Sequence, residues 1–247
     1  MTHLVKTIVS DFLLTERENE EFTSSIYVGH FEGIHMLEEY PIWHLEERKR
    51  FETYHFTVRR KSYIMGRYAA KKAIVKVVND SSIFLNEIWI SEGIFHFPVV
   101  VNPKVQNLRV SISHSGSYAA AIAFPEQHPM AIDIEMLDRF RDKEKIETIR
   151  TQMTSHDLSL LEVYPQKTNE ILGLLWTAKE ALSKVLMTGL MTSFTLYEIN
   201  CINYNSNYYI SSFTHFPQYK AITFFVHNSV ICTIVIPNKS SLKQHLF

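Results

Sequence analysis

Two helical periodicities and several alternating segments dominate the pattern of apolar and polar positions. Residues 62–78 and 169–186 repeat apolar side chains at helical spacing, and each segment predicts a long helix. Residues 108–113 alternate apolar and polar positions, as a half-buried strand does. Residues 118–124 are apolar on both sides and predict a central strand, and residues 130–134 predict the next strand of an antiparallel meander.

The order of these segments determines the predicted fold class. Further strand patterns follow the second long helix at residues 208–210, 222–226 and 230–236. Strands and helices do not alternate regularly as in βαβ proteins, so the order predicts an α+β fold with antiparallel sheets. Thr154 and Asp157 have the spacing of a capping box, and we expect Gly189 to cap the second long helix at its C-terminus.

The two long helices share a sequence pattern. Residues 178–185 match residues 70–77 at two alanines, two lysines and a valine, at a separation close to half the chain. One explanation is chance similarity between helices rich in alanine and lysine. The other is a duplication that gives two similar α+β halves with pseudo-two-fold symmetry, antiparallel sheets each packed on a long helix, and a ligand cleft between the halves. We expect domains at residues 1–106 and 107–247.

Composition narrows the class of protein. The chain has 247 residues, of which 46% are hydrophobic and 21% charged, as is usual for a globular protein with a proper core. The net charge of −1 excludes a general attraction to nucleic acid or membranes. Cys201 and Cys232 fit no metal-binding spacing and predict free thiols. The chain shows neither a signal-peptide pattern nor an apolar run that could span a membrane, so we expect a cytoplasmic protein.

Three acidic side chains are candidates for binding a divalent cation. Asp133 and Glu135 are two residues apart on a predicted strand and therefore share a face. Adjacent carboxylates repel each other unless a cation or a proton lies between them. Trp176, Glu180 and Lys184 lie on one face of the second long helix. Carboxylates combined with substrate phosphates are the usual ligands of Mg²⁺, although a solvated strand edge and an ordinary surface Glu–Lys pair are alternatives.

His114 lies in a hydroxyl-rich segment, residues 111–117, whose last four residues predict a turn between two strands. Its hydroxyls and main-chain N–H groups could surround a phosphate. A plain turn is the alternative, and a serine nucleophile is disfavoured because a strand, not a helix, follows. The basic residues 48–50 and 59–61 indicate either a solvated face or a rim that binds phosphate.

The motifs together resemble those of the 4′-phosphopantetheinyl transferase superfamily, of the surfactin-synthetase-activating (Sfp-like) type. Three segments occur in the order and spacing of that family: Ser111-Ile-Ser-His-Ser-Gly116, Ala131-Ile-Asp-Ile-Glu135 and Trp176-Thr-Ala-Lys-Glu-Ala-Leu-Ser-Lys184. Ala131 replaces the glycine that is usual in the family, and residues 93–98 lack the lysine of the family's Gly-Lys-Pro segment.

The resemblance implies transfer of the 4′-phosphopantetheine arm of coenzyme A to a serine of an acyl or peptidyl carrier protein, with release of 3′,5′-ADP. It implies Mg²⁺ bound by Asp133, Glu135 and Glu180. Glu180, Lys184 and Asp133 would be the catalytic residues. The residues implied to contact coenzyme A are Ser113, His114, Lys184, Arg67, Arg59, Arg60, Arg48 and Arg50.

The sequence is also compatible with other functions. A catalytically silent scaffold of the same fold could bind a carrier protein or a nucleotide, but the three carboxylates and Lys184 are all present. An unrelated metal-dependent phosphohydrolase would need more Asp and His ligands, and the sequence does not show them. The resemblance leaves open whether the carrier serves fatty-acid, polyketide or nonribosomal-peptide biosynthesis. A duplicated chain can form the cleft without a partner subunit, so we expect a monomer.

Overall fold

The computed structural model describes residues 5–32, 37–205, 207–227 and 229–243. It has an α+β fold with antiparallel sheets, as predicted. The chain forms two compact units. The first contains residues Met1–Pro129 and Ser240–Phe247, and the second contains Met130–Lys239.

The helices and strands have the following bounds. The elements up to residue 129 are β1 (Val5–Arg17), β2 (Glu20–Phe31), α1 (Leu45–Glu52), α2 (Thr57–Val78), β3 (Trp89–Glu92), β4 (Pro98–Val101), β5 (Leu108–Ser115) and β6 (Tyr118–Pro125). The elements that follow are β7 (Ala131–Met136), α3 (Lys143–Arg150), α4 (Ser155–Val163), α5 (Thr168–Val185), β8 (Ile199–Asn205), β9 (Tyr208–Phe213), β10 (Tyr219–Val226), β11 (Val230–Pro237) and β12 (Ser241–Leu242).

The first unit is a five-stranded antiparallel sheet in the order β12-β1-β2-β6-β5, covered by α2. Strands β1 and β2 are joined by Glu18 and Asn19, which both have positive φ, as the tight turns that match the strand twist require. Ala73 on α2 and Ala121 on β6 belong to the same buried core. Such small side chains allow the helix to approach the sheet closely.

The second unit is a five-stranded antiparallel sheet in the order β7-β11-β10-β9-β8, on which α5 packs. Gly173 makes this contact possible, because a Cβ atom there would overlap the Ile231 Cδ1 methyl and lie 3.0 Å from Phe140 Cδ2. One turn further along α5, the Thr177 hydroxyl hydrogen-bonds the Thr233 hydroxyl of β11 at 2.7 Å.

The structure corrects the predicted meander and domain boundary. Strands β5 and β6 pair with each other and β6 pairs with β2, so residues 108–125 belong to the first unit. Strand β7 instead pairs with β11 in the second unit. The boundary therefore lies at 129/130 and not at 106/107, and the chain returns to the first unit where Leu242 pairs with Thr15. The predicted pseudo-two-fold relation and cleft stay predictions.

The end of α5 also differs from the prediction. Gly189 begins a separate 3₁₀ turn with a φ of 52°, two residues beyond the point where the helix reverses. Met187 adopts the left-handed conformation instead, with a φ of 55°. The N–H groups of Met187 and Thr188 donate to the carbonyls of Lys184 and Ser183, which satisfies the last turn of the helix without glycine.

The sequence repeat corresponds to a repeated structural arrangement. In the first unit, the fully buried Lys71 of α2 pairs with Glu47 of α1. In the second unit, the fully buried Lys179 of α5 pairs with Asp157 of α4. Burial lowers the pKa of both lysines, and the adjacent carboxylate opposes that effect in each case.

The two carboxylates share further contacts. Glu47 and Asp157 are each the fourth residue of a capping box, which begins at His44 and at Thr154 respectively. The other oxygen of each carboxylate accepts a main-chain N–H from a later strand, namely from Ile90 at 2.9 Å or from Ile199 at 3.0 Å. The agreement of these contacts between the two units supports duplication over chance similarity.

No helix within the described ranges is long and apolar enough to cross a membrane.

We predict that Lys71→Met lowers the free energy of unfolding by about 3–5 kcal/mol, because it leaves the Glu47 carboxylate buried without its cation. Urea unfolding followed by circular dichroism measures this change. The matched control is Lys72→Met, at the neighbouring half-buried position of α2, for which we expect a change within about 0.5 kcal/mol. Equal stability of the two variants would show that the buried pair does not stabilise the first unit.

Candidate functional site

Strand β7 presents two carboxylates toward α5. Asp133 is 4% exposed and pairs in register with Thr233, whose hydroxyl contacts α5 through Thr177. Residues that are paired across strands share a face of the sheet, so Asp133 and Glu135 lie on the side that α5 covers. The strand alternation predicted from the sequence therefore directs both acids toward the helix.

Helix α5 brings its own acid and lysine to the same place. Between Ile171 and Lys184, the half-buried positions are Trp176, Glu180 and Lys184, which follow each other at one turn of helix. The Lys184 ammonium donates to Asp133 Oδ1 at 2.7 Å and to the main-chain oxygen of Ile132 at 3.1 Å. The helix face predicted from the sequence is thus the face that meets β7.

Glu180 lies in the electrostatic field of this group. Burial, followed by the negative charge of Asp133, raises the pKa of Glu180 to about 7, with a smaller contribution from Glu135. Lys184 and Arg139 oppose the rise. A carboxyl group with a pKa near neutrality can exchange a proton readily at physiological pH, and such shifts are common at functional sites.

Arg139 is a member of this cluster that the sequence reasoning missed. It follows β7 on the 3₁₀ turn Leu137–Phe140 and forms an ion pair with Glu135. Its guanidinium carbon lies 4.8 Å from the centre of the Trp176 ring. A basic residue four positions after an acid was a usable signal, but the contact with Trp176 depends on the packing of α5.

The donor atoms of this cluster are of the chemical kind that a hard divalent cation binds. Asp133, Glu135 and Glu180 offer carboxylate oxygens, and burial followed by their mutual repulsion raises the pKa of Glu180. Among the residues that the structure describes, no three acidic, histidine or cysteine side chains converge in a metal-binding arrangement. Lys184 and Arg139 engage Asp133 and Glu135 in this structure. Two side-chain cations therefore balance charge that a metal ion would otherwise balance.

The turn predicted at residues 114–117 is shorter in the structure. Strand β5 continues through Ser115, and the reversal comprises Gly116 and Ser117, with Gly116 at a φ of 59°. Ser113 is 8% exposed whereas His114 is exposed, and neighbouring residues of a strand point to opposite faces. A single phosphate group is therefore not expected to contact both. Lys61 approaches the turn and donates to the Ser117 hydroxyl at 3.1 Å.

Most of the arginines implied to bind phosphate are paired with acids. The pairs are Arg48 with Glu52, Arg50 with Glu92, Arg60 with Glu38 and Arg67 with Glu47. Arg67 is only 9% exposed and lies over the Tyr63 ring, which disfavours it as a phosphate ligand. Arg59 is exposed, with its guanidinium carbon 5.2 Å from the centre of the Tyr54 ring.

A cavity of about 340 Å³ lies beside Arg50 in the first unit, with Trp89 and Tyr63 among its lining residues. Its two cations, Lys49 and Arg50, pair with Glu46 and Glu92, which also line it. Because these charges cancel, the cavity lacks the excess positive charge that a phosphate site needs.

We predict that Glu180 contributes a fall in the free energy of unfolding of the metal-free protein as pH rises from 4.5 to about 7, which the buried His128, with its pKa lowered to about 4, opposes. The folded chain retains a proton on Glu180 over this window, whereas the unfolded chain has lost it. Glu180→Gln should remove this contribution and so change the slope of stability against pH, whereas Glu162→Gln, at an exposed position of α4, should not. Urea midpoints measured across the window, with a chelator present, test this. An identical slope in wild type and Glu180→Gln would contradict the raised pKa.

Comparisons with known proteins find similarity to one superfamily and to curated relatives. Residues 129–235 match the family model described as "4'-phosphopantetheinyl transferase superfamily". Two curated relatives, each named holo-[acyl-carrier-protein] synthase, come from Mycoplasma mycoides subsp. mycoides SC and Mycoplasma capricolum subsp. capricolum. Each is 40% identical over 67 residues, which is 27% of this chain. The chain spans 59% of the length of these relatives.

A solved structure, described as the Chronobacterium ammoniagenes ACPS-CoA complex, also matches, with a TM-score of 0.36 and 22% identity. The match covers 42% of this chain and 96% of that one. The finer, Sfp-like subtype stays a prediction. At the level of the 4′-phosphopantetheinyl transferase superfamily, the resemblance carried by the motifs is confirmed over residues 129–235.

Proposed function

We propose that this protein transfers the 4′-phosphopantetheine arm of coenzyme A to a serine of a carrier protein. The main support is the cluster in the second unit, where Asp133, Glu135 and Glu180 meet Lys184 and Arg139 inside the segment that matches the superfamily. The names of the two curated relatives support an acyl carrier protein as the acceptor. The Sfp-like type, which includes peptidyl carriers, belongs to the same proposal.

The reaction is a phosphoryl-type transfer that balances without an oxidant or a further co-reactant. The serine Oγ attacks the phosphorus that carries pantetheine, and the bond from that phosphorus to the bridging oxygen of the diphosphate breaks. The 3′,5′-ADP leaves with the bridging oxygen, and the serine proton passes to a base. Such reactions depend more on positioning and charge neutralisation than on covalent help from the protein.

Each residue of the cluster has a role in this proposal. Asp133, Glu135 and Glu180 would hold Mg²⁺, which supplies positive charge to the diphosphate oxygens when bound. Glu180 would also orient or deprotonate the serine hydroxyl, directly or through water, and its raised pKa suits a base near neutral pH. Lys184 would neutralise the charge that develops on the departing phosphate. Its ammonium is half-buried, which strengthens that interaction.

Further contacts to coenzyme A are implied by the resemblance alone, and they fall on residues of the first unit. His114 is the exposed member of the hydroxyl-rich segment, and Ser117 with Lys61 offers a hydroxyl and a cation at the adjacent turn. Of the arginines that the resemblance implies, Arg59 is the strongest candidate for the 3′-phosphate. It is exposed, and within the described part of the chain no acidic side chain pairs with it.

A catalytically silent scaffold that binds carrier proteins or nucleotides is the alternative function. The cluster disfavours this alternative. Burial beside Asp133 raises the pKa of Glu180 and so disfavours its charged form, and a protein that only binds does not need this arrangement. A scaffold would bind coenzyme A or a carrier without changing the mass of the carrier, so one experiment separates the two functions.

We predict that incubation of an apo acyl carrier protein with coenzyme A, Mg²⁺ and this protein adds the mass of one phosphopantetheine and releases 3′,5′-ADP. Intact-mass spectrometry and chromatography detect the two products. EDTA and Asp133→Asn should each abolish transfer. The control Asp138→Asn removes an exposed carboxylate from the turn after β7 and should transfer normally. No mass gain with acyl, polyketide or peptidyl carriers would favour the scaffold, and transfer in EDTA would contradict the metal assignment.

We further predict that Lys184→Ala lowers kcat by about 10²–10³-fold, as removal of one preorganised charge-stabilising donor does, with a much smaller effect on KM. Steady-state kinetics with varied coenzyme A separate the two constants. Lys104→Ala, at an exposed lysine of the first unit, is the control and should leave both unchanged. Normal turnover of Lys184→Ala would remove this residue from the diphosphate site.

A further inference from the structure

The Arg139 guanidinium in the second unit is held from two sides. It forms an ion pair with the Glu135 carboxylate, and its central carbon lies 4.8 Å from the centre of the Trp176 ring. Trp176 is itself stacked on Phe194, with ring centres 5.1 Å apart and planes inclined by 24°. An indole face is the strongest aromatic partner for a cation. The aromatic pair therefore places a positive charge beside Glu135.

The exposure of the two partners differs in a way that allows exchange. The Arg139 side chain is 34% exposed, whereas that of Glu135 is 14% exposed. The main chain beneath Arg139 is fixed, because Leu137 and Phe140 on the same 3₁₀ turn are buried. Arg139 can therefore rotate into solvent without disturbing the fold, whereas Glu135 stays facing α5. An ion pair of this exposure stabilises weakly enough to be displaced.

Lys184 holds Asp133 in a different way. Its ammonium is also bonded to the main-chain oxygen of Ile132, and it projects from the well-buried helix α5. The second partner of Arg139 is an aromatic face, which attracts the charge without fixing the direction of its N–H groups. Of the two cations, Arg139 is the one whose contact with a carboxylate can be exchanged.

We propose that Arg139 is a positioning residue that competes with the divalent cation for Glu135, and that Trp176 holds it in the competing position. The inference rests on the proposed function, since it concerns the same carboxylates. The Glu135 oxygen that accepts from Arg139 is occupied, and the guanidinium repels an arriving cation. Arg139 thus weakens metal binding and keeps Glu135 oriented while the metal is absent.

Titration of Mg²⁺ or Mn²⁺ alone, followed by calorimetry without coenzyme A or carrier, tests the competition. We expect Arg139→Gln to bind the metal about fivefold more tightly than wild type, which corresponds to about 1 kcal/mol. The matched control is Arg141→Gln, because Arg141 is exposed, pairs with Asp138 at 2.9 Å and lies on the same stretch of chain. Its affinity should stay within about twofold of wild type, because exposed charges are screened.

A double-mutant cycle tests the part played by Trp176. Trp176→Phe keeps a ring against Phe194 but attracts a cation less, so it should tighten metal binding in the wild-type background. In the Arg139→Gln background the same change should have no effect, because Trp176 then has no competitor to hold. A purely structural role for Trp176 would shift the affinity equally in both backgrounds. Near-ultraviolet circular dichroism verifies that each variant is folded.

The outcomes separate this inference from the proposed function. Wild-type binding with equal or weaker affinity in Arg139→Gln overturns the competition alone. Absence of Mg²⁺ and Mn²⁺ binding in every variant overturns the metal site and this inference together. Tight binding by Arg139→Gln in a protein that transfers nothing to any carrier supports the competition and overturns the transfer.

Discussion

The buried pair between Lys179 and Asp157 fixes the position of α5, and the candidate site depends on that position. A buried ammonium costs several kcal/mol unless a carboxylate and further hydrogen bonds compensate it. The capping box with Thr154 holds Asp157 in the first turn of α4, so the carboxylate that pairs with the Lys179 ammonium has a fixed position. This contact sets the rotation of α5 about its axis as well as its height along α4. Glu180 is the next residue, so the same contact determines that its carboxylate approaches β7.

That constraint explains why the acids of the second unit can be crowded. Asp133 and Glu135 are fixed by the pleat of β7, and Glu180 is fixed by a helix that cannot rotate away. Burial and then the repulsion between these acids raise the pKa of Glu180, and Lys184 and Arg139 oppose the rise. A surface cluster would relax by moving its side chains into water, whereas these side chains stay together and Glu180 retains a proton up to about pH 7. A carboxyl group whose pKa is raised by burial and by a specific charged neighbour is a candidate functional group.

Local periodicity made part of this predictable from the sequence. The long helices, the capping box at Thr154 and the shared face of Asp133 and Glu135 all follow from spacing within one element. The sheet to which β7 belongs could not be predicted, because its partner β11 lies near the other end of the chain. The burial of Arg67 could not be predicted for the same reason. The sequence does not distinguish an arginine that faces solvent from one that pairs with a distant acid such as Glu47. Arg139 was missed because its second contact, with Trp176, forms only when α5 packs beside β7.

The sequence repeat distinguishes the residues that stabilise the fold in both units from the residues that could take part in catalysis in one. Lys71 and Lys179 occupy the same position of the repeat, and each is buried against an acid of the preceding helix. Lys76 and Lys184 also occupy the same position of the repeat. Lys76 donates to the main-chain carbonyl of Ser10 at 2.8 Å, and Lys184 donates to that of Ile132 at 3.1 Å. The position of Glu180, however, is occupied by Lys72 in the first unit, which therefore lacks the acid. Since both units keep the buried lysine and only one has the helix carboxylate, duplication accounts for the packing and not for the acidic cluster. Only the second unit's own side chains support catalysis, because the shared architecture would be the same without them.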